Sequence, residues 1–248
     1  MESIIKFESK PELDSPAFIE CLPGVGNVGK IAGEFLADHA DAVKFASLYS
    51  ENFPAQIMSD QNCVAKPACN ELWHGKLNGR DVVFLKGDYQ CISTEGQYAV
   101  CKEIFDILTD LGVTNIITLG GYGTGKIVED VHVYGTVSKK ELRNGLEDIG
   151  VTFSPGEPGA GIVGAAGLLV GFGKIFDIDS VCFMGETAGF YEDHTAALAV
   201  VKVLKKYFGI KELDLTALVE KADEISKITK KALEEGNADN KADLSYIG

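Results

Sequence analysis

The sequence predicts an α/β fold, a mainly parallel sheet with helices on both faces. Three observations lead there. Short apolar runs alternate with segments of helical period along most of the chain. Two glycine-rich loops each follow such a run directly: Gly24-Val25-Gly26-Asn27-Val28-Gly29 and Gly120-Gly121-Tyr122-Gly123-Thr124-Gly125-Lys126. The 248 residues suffice for one large domain of this kind.

The elements follow in order. Ala17–Leu22 reads as a buried strand, then a glycine turn, then a helix around Gly29–Ala40. Val43–Leu48 is a second strand, and Ile57–Leu72, broken by Pro67, reads as short strands. Asn78-Gly79 signals a tight turn into a core strand, Asp81–Leu85. Thr94-Glu95-Gly96-Gln97 has capping-box spacing and opens a helix that stops at Gly112. Strands follow at Asn115–Leu119 and Val131–Val137. Ser138-Lys139-Lys140-Glu141 is a second capping box, for a helix ending near Gly150. Gly161–Phe172 reads as a helix of small residues, Ser180–Met184 as a strand and Asp193–Phe208 as a helix. Leu215–Leu233 is a further amphipathic helix, with Leu218 and Ala222 on its apolar stripe. We expect an α/β core over residues 1–210, a C-terminal amphipathic helix over 211–235 and a flexible tail over 236–248.

Composition narrows the function. With 46% hydrophobic and 24% charged residues, the chain reads as a soluble globular protein. The 23 Lys and Arg against 37 Asp and Glu leave a net charge of −14, which repels phosphate backbones and argues against nucleic acid as a partner. No two cysteines stand at C-x-x-C spacing, so neither a zinc site nor a redox pair is expected. The start lacks the pattern of a signal peptide. Ala160–Phe172 is shorter than the ~20 residues of a membrane span. A cytoplasmic protein without membrane contact is the expectation.

The first glycine loop matches G-x-G-x-x-G between a strand and a helix, the context of a dinucleotide fingerprint. Glu51 is poorly placed to hold a ribose, and a tight strand-to-helix turn needs glycine on its own account. The second loop matches G-x-x-x-x-G-K, but Ile127 stands where a P-loop needs Ser or Thr, and no helix follows. Glu186, near Glu192, Asp193 and His194, is the candidate acid–base group. The alternative for these acids is helix capping and a favourable dipole. No G-x-S-x-G elbow occurs, and the four histidines are scattered. No catalytic set, metal site or cofactor is assigned. At the other end of the chain, Leu244, Tyr246 and Ile247 return apolar character after a polar stretch and lead to Gly248. Such a terminus suits capture in a partner's pocket, or packing onto its own subunit.

Four segments together carry a family resemblance: Pro23–Gly29, Leu119–Tyr122, Gly161–Leu169 and Gly185-Glu186-Thr187. In their order and spacing the chain resembles the proteasome assembly chaperone family, particularly its archaeal homotypic members. The resemblance implies a nucleoside-phosphorylase-like fold without an established active site. It implies a homo-oligomer that binds proteasome α subunits. It also implies a C-terminal hydrophobic–Tyr–any-residue signal, here carried by Leu244, Tyr246, Ile247 and Gly248. In this chain Tyr246 is antepenultimate, which moves the carboxylate by ~3.3 Å relative to the ring in an extended chain. The rival function is an enzyme acting on a nucleoside or similar small metabolite. Its cleft would be built from Gly24, Gly26, Asn27, Gly29, Gly120, Gly121, Gly123, Glu186 and Thr187.

Overall fold

The computed structural model of the chain describes residues 3–128, 130–154, 156 and 161–229. The strands are β1 (Ile4–Phe7), β2 (Ala17–Cys21), β3 (Val43–Tyr49), β4 (Ile57–Ser59), β5 (Ala65–Pro67), β6 (Asn70–Leu77), β7 (Arg80–Gly87), β8 (Asn115–Gly123), β9 (Val133–Val137), β10 (Val151–Thr152) and β11 (Asp179–Thr187). The helices are α1 (Val28–His39), α2 (Thr94–Asp110), α3 (Gly164–Ile175) and α4 (His194–Tyr207), and the described part of a fifth, α5, spans 216–229.

Nine strands form one sheet in the order β1-β3-β6-β7-β2-β8-β11-β9-β10, and β4 and β5 make a separate hairpin. The centre, β7-β2-β8-β11, is parallel throughout. Antiparallel strands extend it on both flanks. All five residues of β2 are buried, as expected for a strand covered on both faces. One face carries Ala17, Ile19 and Cys21 against α1 and α4, and Leu218 of α5 joins that cluster. The opposite face carries Phe18 and Leu22 against α2 and α3. The α/β class and the two covered faces are thus those expected from the sequence.

The topology also explains where a crevice forms. The chain leaves β2 through α1 toward one face and leaves β7 through α2 toward the other. Their exits diverge, so the carboxyl ends of the central strands are left uncovered between them.

Three local expectations are corrected. The cap of α2 is Ser93, one residue before Thr94: its Oγ accepts from the Gly96 N–H at 3.0 Å. The helix expected after Ser138 does not form. Ser138 is instead bonded to Ser180 of β11, its N–H donating to the Ser180 carbonyl (2.9 Å) and its Oγ accepting from the Ser180 N–H (3.0 Å). The hydroxyl therefore extends the sheet rather than capping a helix, and only a 3₁₀ turn follows at Lys140–Arg143. The second glycine loop is largely strand, because β8 stays in register with β11 through Gly123↔Thr187.

Candidate functional site

The crevice at the strand ends is a cavity of about 1130 Å³, at or above the ~300–1,000 Å³ of ordinary ligand pockets. Its floor is Glu20 and Leu22 at the end of β2, with Leu119 and Gly120 of β8. Its walls are the loop before α2, the first turn of α2, and the start of α3. Gln90 fixes two of these walls together: its Nε2 donates to the Pro23 carbonyl (2.7 Å) and its Oε1 accepts from the Ala165 N–H (3.0 Å). That amide group also supplies α3 with the N-terminal acceptor that Val163 cannot offer. Gln97 binds the Cys91 N–H and the Cys101 sulfur, which holds the loop against α2.

The glycines divide into two groups. Gly26, Gly29 and Gly121 serve close packing of chain on chain. Gly26 has φ +62°, and a Cβ there would stand 2.7 Å from Thr187 Oγ1. A Cβ on Gly29 would run into the Leu119 carbonyl, and one on Gly121 into the Val25 carbonyl. The first loop thus lies directly on β8 and β11. Gly24, Gly120 and Gly123 have room instead: a Cβ on Gly24 meets nothing within 4 Å, and one on Gly120 only Met184, at 3.6 Å.

Of the residues the sequence assigned to a cleft, Gly24, Gly120, Gly121 and Gly123 line this cavity, while Gly26, Asn27, Gly29, Glu186 and Thr187 lie outside its lining. Thr187 is a post between elements, its hydroxyl donating to Asp193 Oδ2 at 2.7 Å. Asp193 caps α4, its Oδ1 accepting from the Ala196 N–H at 2.9 Å. Asn27 donates to Glu192 at 3.1 Å. Glu186 is held by His132, through the backbone N–H (3.0 Å) and ring Nδ1 (2.8 Å), and by the Tyr134 hydroxyl (3.3 Å). Burial pushes the Glu186 carboxyl up, but these bonds outweigh it and hold the group below the usual carboxylate range. Tyr134 packs edge-on against Tyr122, which lines the cavity. Glu186, Glu192 and Asp193 thus each hold a side-chain or backbone partner outside the cavity lining. The tail residues Leu244, Tyr246, Ile247 and Gly248 lie outside the described residues.

Glu20 is the functional candidate that sequence reasoning missed. It is 1% exposed, and its two oxygens accept from the Leu22 N–H (3.0 Å) and the Leu119 N–H (3.4 Å). Burial raises its carboxyl to about 8 despite those bonds, so the group keeps its proton at neutral pH. A glutamate inside the apolar run Ala17–Leu22 was the available signal. The thiols nearby are also protonated, since burial pushes Cys101 and Cys182 to about 12 and Cys91 to about 11. Among the described residues no three His, Cys, Asp or Glu side chains gather as a metal site, and no helix is long and apolar enough to cross a membrane.

Comparison with known proteins places this architecture. A sequence model of the PAC2 family matches residues 18–233. An uncharacterised protein of Methanocaldococcus jannaschii is 34% identical over 245 residues, covering 95% of this chain and 93% of the relative. The crystal structure of Pyrococcus furiosus PbaB, described as an archaeal proteasome activator, is similar with a TM-score of 0.87 and 35% identity, over 93% of this chain and 98% of that one. Pyrococcus furiosus PbaA, described as an archaeal homologue of proteasome-assembly chaperone, is similar with a TM-score of 0.78 and 26% identity, over 99% and 98%. With the family match running from β2 to beyond the described end of α5, the chain belongs to the PAC2 family.

Proposed function

We propose that this chain is a proteasome-assembly-chaperone-like protein that binds proteasome α subunits as a homo-oligomer in the cytoplasm. The observation that carries the reading is the likeness over nearly the full length to PbaB and PbaA, described respectively as a proteasome activator and a homologue of proteasome-assembly chaperone. The chemistry of the fold supports it. Glu186 is bonded to His132 and Tyr134 outside the cavity lining, and Asp193 is a helix cap, so neither acid faces the cavity in which a nucleoside would be held. Surfaces suited to protein contact are present: Ile92, Tyr98, Val163, Ile175 and Phe176, around α2 and α3, are each more than half exposed.

In this reading Leu244, Tyr246, Ile247 and Gly248 enter a pocket on the α subunits, with a cationic group receiving the carboxylate. The test is removal of residues 244–248, with binding to purified α subunits measured by surface plasmon resonance. Loss of binding is the expected result. Undiminished binding rejects the tail as the contact and moves recognition to the body of the protein.

A further inference from the structure

The cavity at the strand ends is not explained by protein recognition. Its floor contains a polar group that the fold leaves incompletely satisfied. A protonated Glu20 has an O–H to donate, yet in its bonds with the Leu22 and Leu119 N–H groups it only accepts. A buried donor such as this O–H is rarely left without an acceptor. The cavity lining otherwise combines Leu22, Leu119, Ile162, Leu168 and Met184 with open glycine backbone and with uncharged polar side chains, among them Gln90, Ser93, Thr94 and Gln97. None of the described lining residues is Lys, Arg or His, and the whole chain carries a charge of −14. An anion finds no countercharge there. A cation would surrender its hydration to apolar walls and require Glu20 to ionise in a site that penalises its charge.

We propose that this cavity binds an uncharged, mainly apolar small molecule bearing a hydrogen-bond acceptor, which receives the Glu20 O–H at the floor and lies against the open backbone of Gly24 and Gly120. The site uses no residue of the tail, although Ile92, Tyr98 and Val163 of the exposed apolar surface named above also line it. It also differs from a dinucleotide or P-loop site, because Gly26, Gly29 and Gly121 are already filled by the chain itself.

The test uses Prodan, an uncharged naphthalene ketone whose emission shifts to the blue on entering an apolar site, titrated into the full-length protein. Anilinonaphthalene sulfonate and proflavine serve as anionic and cationic probes of similar size. The expected result is saturable Prodan binding at one site per chain, with both charged probes at least about tenfold weaker. A Cβ has room at Gly24 and at Gly120, so Gly24→Leu and Gly120→Val, once thermal unfolding shows them folded, are each expected to weaken Prodan by about tenfold or more. Glu20→Leu is expected to weaken it as well, through loss of the donor. Absence of Prodan binding to the parent overturns the proposal. So does binding that both glycine variants leave unchanged, or a charged probe that binds as tightly and is displaced by Prodan.

Discussion

The buried acid at the end of β2 makes the stability of this protein depend on pH in a defined direction. The perturbation is a rise in pH from 4 to 9, applied to the parent and to Glu20→Gln. Glu20 has an ordinary value of 4.5 and is raised to about 8 in the fold. The folded state therefore holds a proton that the unfolded chain releases across that window. Stability from this group is fully present below pH 4.5, falls as pH rises, and is gone above pH 8. Each pH unit of the window removes about 1.4 kcal/mol, which sums to about 5 kcal/mol. The assay is urea unfolding at half-unit pH steps, taking the difference in unfolding free energy between parent and Glu20→Gln. Groups that titrate alike in both proteins cancel. A difference falling by about 1.4 kcal/mol per unit between pH 5 and 7.5, then levelling off, is expected. A flat difference across that range would refute the reasoning. It would mean that the Leu22 and Leu119 amides stabilise a carboxylate, and that Glu20 has no proton to donate into the cavity.

Three further outcomes follow from the packing. Gly29→Ala drives a methyl group into the Leu119 carbonyl, so α1 must move off β8; a loss of about 1–3 kcal/mol in thermal or urea unfolding is expected. Asp193→Ala removes the cap of the Ala196 N–H and a partner of the buried Thr187 hydroxyl; it is expected to cost about 2 kcal/mol, with Asp193→Asn recovering part of it in the same assay. Thiol labelling at pH 8 followed by peptide mass mapping is expected to modify exposed Cys63 first, and to reach Cys101 and Cys182, both buried and pushed to about 12, only on unfolding.

Much of the fold was legible because local pattern and tertiary environment agree. The apolar run Ala17–Leu22 is a strand buried on both faces, and Asn78-Gly79, at φ +49° and +81°, makes the hairpin turn its dipeptide signals. The failures came where a distant partner overrode a local motif. Ser138 has the spacing of a cap, but Ser180, far along the chain, takes its hydroxyl and its amide. Gly120–Gly123 read as a loop, but β11 supplies a continuous parallel partner. Of the glycines named for a cleft, Gly26, Gly29 and Gly121 pack closely against other parts of the chain: a spacing rule cannot tell a glycine with open space from one that admits another backbone. Glu186 looked available because His132 and Tyr134, more than fifty residues earlier, could not be seen beside it. Glu20 had a visible signal, a carboxylate within an apolar strand, but nothing local shows which neighbours would bury it.

The central claim concerns partners, and direct association decides it. The full-length protein should be passed over immobilised proteasome α subunits from the same organism, in a plasmon resonance measurement that also records the mass of the species in solution. The account expects saturable binding by an oligomer of this chain at moderate salt. A folded protein that shows no binding at concentrations where it is fully assembled would contradict it.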